Sequence, residues 1–354
     1  MKAVAVTRDD PTPRVIEVAD PELGEGEVLV RVCRVGIDGT DHEVIAGNHG
    51  GFPAGEEHMV LGHEAVGVVE DPNGSAFETG QLVVPTVRRP PATGSNRYFE
   101  NGEPDMAPAG QYVERGIDGA HGHMAEYVTA PPECLVPVPD SFREFGFLVE
   151  PLSNAVKAVE HAEASRSAFE WEPESAFVLG NGPLGLLTVA LLREQGYDRL
   201  YCMGRRDRPD PTIDIIEETG ATYVDSRETN LEDVPDEYEQ MDLVVEATGY
   251  ARHGVEAVEA LAPNGVAALL GIPGDTTFEF DGGRIHREMV LQNQAIVGSV
   301  NSHVGHFETA REALAAFPDW FVDDLLTGVF PPEDIEAAFE SDRAKIKTVI
   351  DFEN

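Results

Sequence analysis

Ser175-Ala176-Phe177-Val178-Leu179-Gly180-Asn181-Gly182-Pro183-Leu184-Gly185 is the stretch that decides the fold. A near-continuous apolar run must be buried on both faces, as a parallel strand between layers of helices is. Gly180, Gly182 and Gly185 then follow the spacing G-x-G-x-x-G, and a helical pattern runs over residues 186–195. After a strand and before a helix, that spacing is a dinucleotide-binding fingerprint. The first glycine makes the tight turn, the second admits a pyrophosphate to the backbone, and the third lets helix pack on strand. The helix N-terminus adds free N–H groups and partial positive charge. An ordinary βα turn is the competing reading.

Moving outward, 200–203, 242–247, 266–270 and 295–299 are further apolar runs separated by helical patterns. Together they predict an α/β, doubly wound parallel sheet. Residues 1 to about 150 read differently. Alternation at 28–32, 65–69, 81–85 and 127–130, punctuated by Gly and Pro, predicts a small barrel-like β domain. Residues 88–126 form a long stretch rich in Pro, Gly, Asn and Asp, expected to be a functional loop along a cleft wall. From about 300 the pattern is mostly helical, with a strand-like end at 348–352. A chain of 354 residues exceeds one typical core, so two domains are expected.

Sixty-five acidic residues against 25 basic ones give a net charge of -40, and only Lys2, Lys157, Lys345 and Lys347 are lysines. Such self-repulsion calls for screening, and the Debye length falls to about 3 Å at 1 M salt, so a salt-loving protein is expected. The same charge argues against nucleic acid as a partner. No apolar run of about 18 residues offers a membrane span. The N-terminus reads as a first strand rather than a signal peptide, which gives a cytoplasmic expectation. Cys33, Cys134 and Cys202 are too scattered for a disulfide framework or a four-cysteine zinc site.

Two regions carry chemistry. After the second strand of the series comes Gly204-Arg205-Arg206-Asp207-Arg208. An acid at that strand end suits the ribose of NAD, whereas arginine suits the 2′-phosphate of NADP. Arg205 and Arg206 therefore predict NADP, with NAD the alternative and a solvated charged loop the competing reading. In Met59-Val60-Leu61-Gly62-His63-Glu64-Ala65-Val66-Gly67-Val68-Val69-Glu70, His63 and Glu64 enter an apolar strand side by side. Neighbouring strand residues point to opposite faces, so one would face a cleft and the other the backbone behind it. Asp38 and Glu150, with His63, would make a three-ligand catalytic zinc site with an open fourth position; a structural or exposed His-Glu pair at a strand start is the competing reading.

Gly62-His63-Glu64 with Gly67-Val68-Val69, Gly36-Ile37-Asp38-Gly39-Thr40-Asp41 and the dinucleotide fingerprint resemble the zinc-dependent medium-chain dehydrogenase/reductase family over nearly the whole chain. More narrowly, Asp38-Gly39-Thr40-Asp41-His42-Glu43, Glu114-Arg115-Gly116 and Ser299-Val300-Asn301 resemble its archaeal glucose dehydrogenases, and Asp38 with the acidic composition resembles the haloarchaeal branch. The resemblance implies a GroES-like catalytic domain over 1–155, completed by about 300–354, and a Rossmann NADP-binding domain over 156–299. It implies zinc-dependent oxidation of glucose at C1 with hydride transfer to NADP. A related polyol or alcohol dehydrogenase, and a non-catalytic NADPH-binding sensor, are the alternatives.

Residue by residue, the resemblance makes Asp38, His63 and Glu150 zinc ligands, with Glu64 a nearby carboxylate that ligates in one state or acts through water. Thr40, Glu64 and Glu150 would be catalytic. Thr40, Glu114, Glu150 and Asn301 would bind sugar hydroxyls; Thr40 also reads as a helix cap. Gly180, Asn181, Gly182, Pro183, Leu184, Gly185, Arg205 and Arg206 would bind the cofactor. Leu270, Gly271, Ile272, Ser299, Val300 and Asn301 would lie near its nicotinamide end. His121 and His123 read as structural. Most of the family has cysteine where Asp38 stands, and carboxylate is the harder ligand, so weaker zinc retention is expected. The usual structural zinc lobe needs four cysteines around 88–116; none is present, so one zinc ion is expected. The partners expected are a sugar and a second copy of the chain in a homodimer, with a homotetramer the alternative.

Overall fold

A computed structural model describes residues 1–340 and 342–353. The chain divides into two compact units. One is Met1–Ser153 with Asn301–Leu314 and Leu326–Asn354; the other is Asn154–Val300 with Ala315–Leu325.

The second unit is built on Ser175–Leu179, buried at every residue. Arg199–Gly204 pairs on one side of it and Met241–Glu246 on the other, both parallel. Across the sheet the strands run Thr222–Asp225, Arg199–Gly204, Ser175–Leu179, Met241–Glu246, Leu261–Leu269, Ala295–Gly298. Numbered within the unit this is the order 3-2-1-4-5-6 of a doubly wound dinucleotide fold, whose ligand crevice lies at the carboxyl ends where the order reverses. Phe177, Leu179, Met203, Val244 and Ala267 fill the core on one face. Leu261–Leu269 starts earlier than its apolar run because a register shift lets the turn-like Ala262-Pro263-Asn264-Gly265 segment join the ladder. The helix after the fingerprint starts at Pro183, not at residue 186. Proline fits the first turn, where its missing N–H has no partner to lose.

The first unit is a β domain whose main sheet runs Leu135–Pro137, Leu82–Pro85, Glu64–Asp71, Val28–Ile37, Lys347–Asp351, Leu326–Phe330; Tyr127–Ala130 also pairs with Val28–Ile37. The C-terminal Lys347–Asp351 is buried throughout and antiparallel to Val28–Ile37, so the end of the chain completes the sheet. Leu326–Phe330 sits in a region that reads as helical, because Leu326-Thr327-Gly328-Val329-Phe330 is short and interrupted by glycine. The stretch 88–126 is more ordered than a loop. It carries a small sheet of Arg88–Arg89, Val113–Arg115 and Gly119–Ala120, and a short helix Arg97–Glu100. Among the described residues, no helix is long and apolar enough to cross a membrane.

Candidate functional site

One group of buried charge in the first unit forms where strand Val28–Ile37 gives way to a helix. Val28–Ile37 ends at Ile37, and Asp38 caps the helix Gly39–Ala46. Asp38 Oδ1 accepts the Asp41 N–H at 3.0 Å, and Asp41 Oδ2 accepts the Asp38 N–H at 3.1 Å, a reciprocal capping box. Thr40 lies in the first turn, half-buried; the cap it could have supplied comes from Asp38. Capping occupies only one Asp38 oxygen. The other, Oδ2, is 3.5 Å from His63 Nε2.

His63 is 4 % exposed, placed by Gly62 in the left-handed region at φ +83°. A Cβ there would meet Met124 Cγ at 2.6 Å and Val35 Cγ1 at 2.7 Å, so the turn requires glycine. Glu64 opens the strand Glu64–Asp71 and is 1 % exposed. Its Oε2 meets Lys347 Nζ, which also donates to the Ile37 carbonyl at 2.9 Å. Gly36 makes room for that pair, since a Cβ would lie 2.2 Å from Glu64 Oε2. Glu150, in the first turn of Val149–Arg166, is 3 % exposed. His63, Glu64 and Glu150 present ligand atoms within 4.8 Å of one another, and so do Asp38, Asp41 and His63.

Four carboxylates thus face one imidazole and one ammonium. Burial opposes charge on His63, yet Asp38, then Glu150 and Asp41, hold its imidazole well above the ordinary value. Asp41 is pushed up to about 7 by burial and by the charge of Asp38. Burial raises Glu64, and Lys347 offsets part of the rise. Burial would raise Asp38 too, but His63 and Lys347 pull it below its usual range. Asp41 Oδ1 and His63 Nδ1 are buried without a hydrogen-bond partner. Excess buried anion with unsatisfied donor atoms fits a divalent cation. The 3.5 Å between Asp38 Oδ2 and His63 Nε2 is close to the edge of a tetrahedron with bonds of about 2.1 Å.

A second polar group is centred on Glu114. Glu114, 7 % exposed, accepts from Arg88 Nε at 2.9 Å and from Asn301 Nδ2 at 3.4 Å. Asn301 sits at φ +56° and its own Oδ1 accepts the Ser302 N–H. The structure therefore brings Glu114 and Asn301 together, 187 residues apart. His121 accepts the Val60 N–H through Nδ1 and stacks on His58 at 4.8 Å; with Glu56 they form a separate group. His123 is buried, and burial with the charges of Arg115 and Arg89 holds it well below its ordinary value.

In the second unit, Gly180 takes φ +120°, Gly182 is the N-cap and Pro183 the first residue of the helix Pro183–Glu194. A Cβ on Gly185 would fall 1.8 Å from the Gly180 carbonyl oxygen. Asn181 Nδ2 donates to Thr212 Oγ1 at 2.6 Å, under a glycine at 204 that leaves it room. At the end of Arg199–Gly204, Arg205 is exposed and Arg206 half-buried. Tyr223 holds Arg206 by its backbone, its hydroxyl accepting the N–H at 2.8 Å and donating to the carbonyl at 3.0 Å. Arg227 pairs with Asp207 at 2.8 Å and with Asp225, so both acids at this end are neutralised. The backbone N–H groups of Leu270 and Gly271 both donate to the Glu246 carbonyl, Ile272 is exposed, and the Ser299 N–H donates to the Leu269 carbonyl. Val300 receives Lys157 Nζ on its carbonyl.

Asp41, Lys347, Tyr223 and Arg227 are absent from the residues that the sequence reading selects. Asp41 had a signal, the i, i+3 pairing with Asp38 that a capping box needs. Lys347 had one as well, being one of four lysines in an arginine-dominated chain.

Residues 143–352 match the family model described as glucose dehydrogenase C-terminus, and residues 24–140 match the alcohol dehydrogenase GroES-like domain. A glucose 1-dehydrogenase of Haloferax mediterranei is 64 % identical, with 99 % of each chain covered. One of Haloarcula marismortui is 59 % identical over the full length of both. The solved structure of Haloferax mediterranei glucose dehydrogenase in complex with NADP, Zn and gluconolactone superimposes with a TM-score of 0.98 at 64 % identity, again over 99 % of each chain.

Proposed function

The chain belongs to the glucose dehydrogenase family of zinc-type medium-chain dehydrogenases, and from that premise we propose which of its residues oxidise D-glucose at C1 to glucono-1,5-lactone with NADP. The observation that carries the reading is the convergence of half-buried Asp38 and buried Glu64 and Glu150 on His63, a set that suits a cation; the hydrogen-bonded pair Glu114 and Asn301 would serve the sugar hydroxyls.

Asp38, His63 and Glu150 hold one zinc ion, and Glu64 stands behind them. Bound there, zinc supplies Lewis acidity that lowers the pKa of the C1 hydroxyl. NADP supplies the hydride acceptor, its nicotinamide chemistry intrinsic to the cofactor. The chain's part is orientation and proton handling. Thr40, fixed in the first turn behind the Asp38 cap, accepts a hydrogen bond from the C1 hydroxyl; as it takes that proton its hydroxyl gives up its own to solvent water. Glu114 accepts and Asn301 donates to ring hydroxyls, and Glu150 faces both sugar and cation. Lys347 pairs with Glu64 and offsets part of the burial that disfavours its charge, which holds this carboxylate in place behind the ligands.

The cofactor lies over Gly180, Asn181, Gly182, Pro183, Leu184 and Gly185. Arg205 and Arg206 meet its 2′-phosphate, and Arg227 masks the acids that would repel that phosphate. Leu270, Gly271, Ile272, Ser299, Val300 and Asn301 line the nicotinamide end. The assembly is a homodimer through the Ala295–Gly298 edge strand, beside which Val290 and Leu291 are 63 % and 70 % exposed; sedimentation in concentrated salt checks it. The test of the reaction is D-glucose deuterated at C1. One deuterium carried to each NADPH, with a primary isotope effect on hydride transfer, is the expected result. Undeuterated NADPH would move oxidation to another carbon and overturn the assignment.

A further inference from the structure

Arg89 and Arg115 of the small sheet form no ion pair among the described residues. Arg88–Arg89 and Val113–Arg115 are antiparallel, with Arg88 opposite Glu114 and Arg89 opposite Val113, and the Arg115 N–H donates to the Val87 carbonyl. Side chains alternate across a sheet. Arg88 and Glu114 therefore share one face, where they form an ion pair at 2.9 Å. Arg89 and Arg115 share the other face as diagonal neighbours, close enough for their side chains to meet.

On that face the charges are left uncompensated. Arg89 is 9 % exposed; its Nη1 donates to the Thr86 carbonyl at 2.8 Å, to Thr86 Oγ1 at 3.1 Å and to the Arg88 carbonyl at 2.9 Å. Its Nη2 is buried with no partner, and so is Arg115 Nε. Among the described residues neither guanidinium is in an ion pair. In a chain with 65 acidic residues, buried Arg89 and half-buried Arg115 each keep a buried guanidinium N–H without a partner. Burial, and next the charge of Arg89, lower Arg115 to about 10, against the opposing influence of Glu27 and Cys134. Each unsatisfied buried N–H of a charged group is costly, and an anion would satisfy both at once.

We propose that Arg89 Nη2 and Arg115 Nε hold a small inorganic anion of the halide class between them. The donor atoms are closed off from solvent, which favours a single compact ion over a phosphate or a carboxylate. The ion would fasten the two-residue Arg88–Arg89 strand to Val113–Arg115 and so steady Glu114 on the opposite face. It would take the place of a cross-link in a segment that has no cysteine.

The test is a crystal of the full chain transferred into potassium bromide and measured at the bromine absorption edge. An anomalous peak within hydrogen-bond reach of both donors is the expected result; no peak there in concentrated bromide means that water fills the position, and overturns the proposal. Thermal unfolding gives a second reading at fixed potassium concentration with chloride replacing acetate. The midpoint of the unchanged chain rises with chloride and saturates, by about 2–5 °C. Arg115→Met loses that saturable part, and a variant that keeps it in full refutes the site. Should Arg115→Met not fold, the bromide map of the unchanged chain decides alone.

Discussion

Lys347→Met tests how the buried charge of the site is balanced. Lys347 and Glu64 are each 1 % exposed at their side chains, and Lys347 Nζ also satisfies the Ile37 carbonyl. Methionine keeps most of the stem volume, so packing changes little. What is lost is the charge opposite Glu64, and breaking a buried pair from one side costs about 3–5 kcal/mol. Glu64→Gln costs a similar amount, because it strands the ammonium. The double variant removes both charges and keeps only the lost bond to Ile37, so it falls about 1–2 kcal/mol below the starting protein. The strong non-additivity is the signature. Urea unfolding of the chelated protein in concentrated salt measures all three, with the metal stripped so that it does not stand in for the ammonium. A double variant that loses the sum of the two single losses, within about 0.5 kcal/mol, would refute a coupled pair.

Gly36→Ala places a Cβ 2.2 Å from Glu64 Oε2 and 2.8 Å from Phe147 Cδ2; overpacking of about 1–3 kcal/mol and reduced zinc content by metal analysis are expected. Arg206→Ala lowers the NADP to NAD efficiency ratio by about 10–100-fold, the worth of a charge-assisted hydrogen bond, read from kcat/KM with each cofactor. Glu246 is buried, which alone would raise it, but His253 and Thr248 hold it below its ordinary value of 4.5. Its contribution to stability is therefore complete above pH 4.5 and is lost as pH falls through the lower, folded value. Glu246→Gln flattens that acid limb in thermal unfolding followed across pH 3–6.

The dinucleotide unit was legible because its signals are local. One apolar run and three glycines set the strand, the turn and the helix, and the fold follows from packing such units side by side. The catalytic unit was legible only in part. His63 and Glu64 stood out as a polar pair entering an apolar strand, but their partners come from far along the chain. Lys347 reaches them only because the C-terminal strand pairs with Val28–Ile37, a long-range pairing that no local pattern encodes. Arg227 was hidden for the same reason: it neutralises Asp207 from the end of a neighbouring strand. Leu326–Phe330 escaped because a five-residue strand with an internal glycine has no clear alternation. Asp38 shows how one residue carries two signals. As a cap it is legible from Asp38 and Asp41 three apart; its proposed part in holding a cation depends on His63, brought to 3.5 Å by the sheet.

The most direct measurement is NADPH formation from D-glucose and NADP in concentrated salt, before chelation, after it, and after zinc is returned, with zinc content determined at each stage. Turnover that disappears with the zinc and returns with about one ion per chain is the predicted result. Undiminished turnover in protein shown to hold no metal would contradict a reaction built around Asp38, His63 and Glu150.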